Sequence, residues 1–153
     1  MLPQDKSLRI LHILNHNLPI YDGYTFRSHN MVQAQQKKDG TLSSSLLLRY
    51  EEYWKGAWQP IEVLDGICHY RTGPVSSHAL PFATEIHLMQ ALARRLREVI
   101  KLETPTLLHA HSPILNAIPA LWVGCREGIP AVYEMRASWE DAGVDHGTYQ
   151  HDS

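Results

Sequence analysis

Apolar residues in this chain gather into several short runs and one long periodic stretch, and the two patterns predict different elements. Leu8 to Leu14 is a mostly apolar seven-residue run, broken by Arg9 and His12, that follows a polar lead. It reads as a first, central parallel strand buried on both faces. A loop from Asn15 to Phe26 with Pro19, Asp22 and Gly23 then leads into a helical pattern from about Thr25 or Ser28 to Lys38, ended by Asp39-Gly40. Ser43 to Tyr50 predicts a second strand, and Glu51 to Pro60, with Trp54 and Trp58, an excursion loop that either folds its aromatic rings onto the surface or forms part of an acceptor platform. Ile61 to Leu64 and Ile67 to Arg71 flank Asp65-Gly66, a two-residue turn of the hairpin type, so a hairpin at the sheet edge or a pair of short strands is expected. After a small-residue linker from Gly73 to Ala79, Phe82, Ile86, Met89, Ala93, Leu96 and Ile100 recur at alternating spacings of four and three. That is an amphipathic helix laying this stripe on the sheet, with Gln90, Arg94, Arg97, Glu98 and Lys101 on its other face.

The stretch from Thr104 to Asp145 repeats the alternation. Thr106 to His111 is an apolar run that stops at Ser112-Pro113, where a helix N-cap followed by proline at the first helical position is expected. The helix runs to Glu127 and is closed by Gly128. Pro119 predicts a kink or two shorter pieces, and Trp122 and Cys125 are expected to pack inward. Ile129 to Glu134 is a further strand, completing a βαβ unit. The fold class is therefore α/β, a parallel sheet flanked by helices. In such sheets ligands collect beyond the carboxyl ends of the strands. Those ends carry His109, His111, Ser112, Glu134 and Arg136, with Trp139, Glu140, Asp141 and Asp145 just beyond.

Composition narrows the function classes. A chain of 153 residues is one domain, large enough for a proper core. Its 14 basic and 16 acidic residues create no field that suggests nucleic acid as a partner. Cys68 and Cys125 stand far apart in no metal-type spacing, which fits a reduced, cytoplasmic compartment. No signal peptide and no apolar window near the length of a membrane span is present. Ten histidines invite a metal reading, but they form no His-x3-His helix pair and have no partner cysteine. His109 and His111 are taken to point to opposite faces of the strand end, His111 with Ser112 shaping the cleft floor or capping the helix, and His109 structural. No metal and no cofactor is expected. No G-x-G-x-x-G occurs, and Gly23 reads equally as a simple turn or as part of a loop receiving an anion.

These residues permit a comparison. The first strand leading to the Gly23 loop, Trp54 to Pro60, Leu108-His109-Ala110-His111-Ser112-Pro113, Gly128-Ile129-Pro130 and Tyr133-Glu134-Met135-Arg136-Ala137-Ser138-Trp139-Glu140-Asp141 resemble the N-terminal domain of retaining glycosyltransferases of the GT-B fold, family 4 (group 1). The last run is more similar to members associated with exosortase and exopolysaccharide gene clusters. The resemblance implies a single Rossmann-like, acceptor-side domain over residues 1–153, a fragment lacking the C-terminal nucleotide-sugar domain. It implies sugar transfer from a nucleotide-sugar donor to a glycan or lipid-linked acceptor, at the cytoplasmic face of the membrane. The family's glutamate pair belongs to the absent domain, so the catalytic residues are not in this chain. Donor- and acceptor-binding positions carried over are Gly23, Tyr24, His111, Ser112, Glu134, Arg136 and Glu140. Tyr24 stands where a second glycine is usual, and Arg136 where many members have histidine; Glu134 and Arg136 also read as a plain salt bridge. On the amphipathic helix, Arg94, Arg95, Arg97 and Lys101 are candidates for peripheral membrane contact. The alternatives are a non-catalytic nucleotide- or sugar-binding α/β module, and a sugar-nucleotide epimerase.

Overall fold

The computed structural model describes residues 8–18, 20–39, 42–46, 59–75, 80 and 82–136. In chain order the elements are β1 (Ile10–Leu14), α1 (Gly23–Asp39), β2 (Leu42–Leu46), β3 (Ile61–Leu64), β4 (Ile67–Arg71), α2 (Ala83–Glu103), β5 (Leu107–His111), α3 (Ile114–Glu127) and β6 (Ala131–Glu134). They build one six-stranded sheet in the order β3-β4-β2-β1-β5-β6. Five strands run parallel, and β3 pairs antiparallel with β4 through the Asp65-Gly66 turn, the edge hairpin expected from sequence. All five residues of β1 are buried, as a central strand between two helical layers requires. The architecture is a Rossmann-like α/β sheet flanked by helices.

The two faces of the sheet are unlike. Leu11, Ile13, Leu108, Ala110 and Tyr70 face α2 and α3 and form the main core with Leu88, Leu92, Leu96, Val99, Ala117, Ala120 and Val123. Among the described residues the α1 face has a small apolar cluster, Ile10, Val32 and Ile67 with Leu107 against it. The same face holds Leu14 and the polar residues His12, His69, Arg71 and His111, all buried, with His109 half-buried beside them. Polar groups there must find partners inside the protein, since a buried donor or acceptor left alone costs roughly 1–3 kcal/mol.

Three local expectations change. The buried stripe of α2 is Leu88, Leu92, Leu96, Val99 and Ile100. Phe82 and Ile86 are exposed, so the helix is rotated from the stripe read in sequence and shares with it only Leu96 and Ile100. Helix α3 is continuous through Pro119, without a break into two pieces. Trp122 and Cys125 face outward, and the indole lies between the guanidinium groups of Arg97 and Arg126, 4.7 and 4.6 Å from the ring centre. Gly128 ends α3 with φ of 68°, as its C-cap role requires.

Two glycines should respond oppositely to alanine. At Gly124 a Cβ would meet the Ile129 carbonyl oxygen at 2.7 Å and the Ala131 Cβ at 3.3 Å, where α3 crosses β6. At Gly23 nothing lies within 4 Å and φ is not positive. Gly124→Ala should lose roughly 1–3 kcal/mol by overpacking, and Gly23→Ala should be neutral or gain up to about 1 kcal/mol. Urea midpoints of the two variants check the contrast.

Candidate functional site

The parallel strands β1, β5 and β6 end side by side, and α1 begins over the same edge. Asp22 caps α1: its Oδ1 accepts from the Thr25 amide at 2.7 Å, and its Oδ2 lies 2.6 Å from His16 Nε2. This amino terminus is therefore already served by the chain's own carboxylate rather than left open to an anion. Gly23 is the first helical residue, with neither a positive φ nor a close neighbour that demands glycine. Tyr24 acts as a clamp. Its hydroxyl donates to the Ser112 carbonyl at 3.0 Å and accepts from the Asn15 amide at 3.1 Å. Burial pushes its phenol up to about 12, so it stays protonated and keeps the donor role.

Ser112 is not the N-cap of α3. Pro113 occupies that position without a side-chain cap, while Ser112 Oγ accepts from the Arg136 amide at 2.7 Å. The hydroxyl thus ties the end of β5 to the residues after β6. Asn116 holds the same turn by donating from Nδ2 to the His111 carbonyl at 2.9 Å.

Arg136 lies below the surface, its side chain 5% exposed. Its guanidinium donates to Ser28 Oγ at 2.6 Å, to His111 Nδ1 at 2.7 Å and to Glu134 Oε1 at 3.3 Å, and it sits 4.7 Å from the Tyr24 ring centre. The Glu134 pairing expected as a salt bridge is present. The cation that reaches solvent is Arg27, 62% exposed and 2.8 Å from the same Glu134 oxygen. Sequence reading passed over Arg27 and Ser28, one turn along a polar helix with no signal of their own. Glu140 lies outside the described residues, as do Trp54, Trp58, Trp139, Asp141 and Asp145.

The histidines require a correction. Residues two apart on a strand share a face, because side chains alternate with a period of two. His109 and His111 accordingly stack with ring centres 4.1 Å apart, and neither faces away. His12 on β1 pairs in register with His109 and lies on the same face, so three rings meet. His12 Nδ1 is 3.0 Å from His111 Nε2, and His12 Nε2 is 2.8 Å from Gln35 Oε1 on α1. Sequence reading missed His12 and Gln35, although His12 interrupting an apolar strand was visible.

Burial holds these rings neutral. Desolvation is the main cause for His12, lowered to about 4, with His109 and Arg136 adding and the Gln35 bond opposing. It is also the main cause for His111, lowered to about 2, with His109, Arg136, His12 and Arg27 adding. His109 is lowered by burial too, against the pull of Glu134. The short approach of Glu134 Oε2 to His111, 3.0 Å, is thus a contact with a neutral ring and not an ion pair at neutral pH. His69 on β4, lowered to about 4 chiefly by burial and then by Arg71, is a fourth neutral histidine of this face.

These shifts set a pH dependence. In the unfolded chain histidine titrates near 6.5, whereas His12 and His69 take up protons only near 4 in the fold. Between those values the unfolded chain binds more protons, so stability is complete above about pH 6.5 and falls as pH drops toward 4. Each group contributes on the order of 3 kcal/mol to that loss. Urea midpoints should fall steeply between about pH 7 and about pH 4.5; equal midpoints would contradict the assignment of buried neutral rings.

No family model matches the chain, and no curated protein is similar to it. Solved structures do match in fold. The C-terminal domain of the PF1911 hydrogenase from Pyrococcus furiosus superposes with a TM-score of 0.56 at 17% identity, covering 88% of this chain and 96% of that one. The UDP-GlcNAc 2-epimerase of Neisseria meningitidis, bound to UDP-GlcNAc, gives 0.57 at 13% identity over 82% of this chain. Sucrose-phosphate synthase from Thermosynechococcus elongatus gives 0.54 at 14% identity over 84%. The chain spans 31% and 32% of the last two proteins. Likeness at these identities establishes the Rossmann-like fold. Among the described residues no helix is long and apolar enough to cross a membrane.

Proposed function

We propose that the chain is the acceptor-side half of a retaining GT-B glycosyltransferase, which moves a sugar from a nucleotide-sugar donor to a glycan or lipid-linked acceptor. The observation that carries this reading is the polar edge formed by β1, β5 and β6, where Arg27, Glu134, Arg136, His111, Ser112 and Tyr24 meet. Fold likeness to an epimerase bound to UDP-GlcNAc and to a sucrose-phosphate synthase supports a sugar nucleotide as the ligand class. The assignment to family 4, and to its exopolysaccharide-associated type, rests on the sequence resemblance.

Retaining transfer builds negative charge on the leaving diphosphate and positive charge on the sugar, so fixed cations and N–H groups are the useful side chains. Arg136 is a permanent cation and cannot serve as a general base. From its buried position it sets a positive potential beneath the site, while Arg27 is the cation that ligand can touch. Glu134, between them, moderates that field and accepts a hydroxyl of the acceptor. His111 and His109 stay neutral and add no competing charge. The scheme needs no metal or cofactor. Its glutamate pair belongs to a second domain, so this chain alone binds donor weakly and transfers nothing. Exposed Arg94 and Lys101 on α2 are the candidates for membrane contact at the cytoplasmic face.

The test is a thermal-shift and turnover panel of UDP, GDP and ADP sugars on the polypeptide that carries both domains. One donor should raise the melting temperature, and Arg27→Gln should lower kcat/KM about tenfold, the value of one charge-assisted hydrogen bond. Sugar transfer by the isolated 153-residue chain, or no shift with any donor, contradicts the proposal. A binding module is the second reading, favoured by the match to nearly the whole of a single hydrogenase domain. It predicts a shift with some nucleotide or sugar and no turnover in any form of the protein.

A further inference from the structure

We propose that His12, His109 and His111 form a three-nitrogen binding site for a divalent first-row transition metal, such as zinc or cobalt. The inference stands apart from the transferase reading and rests on how the three rings are held.

One nitrogen from each ring lies within 4.8 Å of the others. Each ring also has an oxygen beside it. Gln35 Oε1 is 2.8 Å from His12 Nε2, Glu134 Oε2 is 3.0 Å from His111 Nδ1, and the same carboxylate oxygen is 3.3 Å from His109 Nε2. An oxygen acceptor on one ring nitrogen fixes the tautomer and leaves the other nitrogen with its lone pair, which is how metal-binding histidines are oriented. Applied here, the rule leaves His12 Nδ1, His111 Nε2 and His109 Nδ1 as the three donors.

The first two of these are only 3.0 Å apart. Two lone pairs cannot face each other at that distance without a positive centre between them. A proton on His111 Nε2 meets the need, but then His111 Nδ1 carries a lone pair beside the Glu134 carboxylate, and only the Arg136 guanidinium at 2.7 Å satisfies it. A metal ion meets the same need and lets His111 Nδ1–H donate to Glu134. The cluster is thus poised between Arg136 with a proton and a metal with Glu134. Burial favours the neutral imidazole that a metal requires. Nearby Arg136 opposes a second cation and Glu134 offsets it, so affinity is tuned by that pair. Imidazole nitrogen selects zinc, cobalt, nickel or copper over calcium or magnesium, and three ligands leave one position open.

The test uses the metal-stripped 153-residue chain, titrated with Co2+ by visible absorption and with Zn2+ by competition. One equivalent should bind with the intense bands of a four-coordinate site. His12→Gln, His109→Gln and His111→Gln should each abolish those bands, while His87→Gln on α2 keeps them. Glu134→Gln should weaken binding about 10- to 100-fold, as loss of an orienting carboxylate does. Arg136→Gln should tighten it by removing a like charge, and that gain is not expected of a site made by scattered surface histidines. Gln35→Ala, on the helix and outside the ligand set, should weaken binding about tenfold even where a histidine variant fails to fold. Absence of Co2+ or Zn2+ uptake by folded wild-type chain, or uptake unchanged in the three histidine variants, overturns the proposal.

Discussion

The hydrogen-bonded contact between His12 and His111 is the constraint on which this edge of the molecule depends. It joins a central strand to its neighbour across the α1 face, where an ordinary α/β domain would place aliphatic side chains. Without a metal between them, two imidazole nitrogens can lie 3.0 Å apart only if a proton is shared, in one direction along the whole chain of groups. With Arg136 donating to His111, His111 donates to His12 and His12 to Gln35, and every link is satisfied. Reversing any one link obliges the next to reverse, up to the Gln35 amide, which would have to turn. The position of α1 over the sheet is therefore set by polar matching more than by its small apolar cluster.

That dependence explains the division of labour between the faces. Opposite β1, Leu11 and Ile13 enter the large core under α2 and α3, whose burial stabilises the domain without regard to direction. On the α1 side each group needs a specific partner, so the arrangement is specified more than it is stabilised. Tyr24, Ser28, Ser112 and Arg136 extend the same logic to the strand ends. Three of them converge on Arg136, which holds a full charge away from water only because Ser28, His111 and Glu134 take its N–H groups and Tyr24 covers its face.

Much of the framework was legible because its signals are local. The mostly apolar run of β1, the Asp65-Gly66 hairpin and the Gly128 cap each follow from a few adjacent residues, and each is where the sequence puts it. The errors share another origin. In α2 two apolar stripes have acceptable spacing, and only packing against β1 and α3 decides for Leu88, Leu92 and Val99 over Phe82 and Ile86. Helix α3 is apolar nearly all round, so periodicity could not say that Trp122 points out. Ser112 looked like a cap because it precedes a proline, yet its hydroxyl is taken by the Arg136 amide, 24 residues on. The histidine pair was misjudged for a plainer reason, since strand alternation alone places His109 and His111 together. Their meeting with His12 needed the β1–β5 register, which no local pattern holds.

Fold likeness leaves function open here, because a hydrogenase domain and two sugar-nucleotide or sugar-phosphate enzymes superpose about equally well. What separates these possibilities is the chemistry laid over the shared sheet. A polar α1 face is an expensive way to hold a helix, since apolar residues of similar volume would pack there without needing partners. Its groups also grade in one direction, from neutral imidazoles within the sheet to the buried Arg136 and then to Arg27 in solvent. The gradient ends at the carboxyl edge of the parallel strands, where Arg27 is paired with Glu134. The same groups that fix α1 therefore set the charge and polarity of that edge.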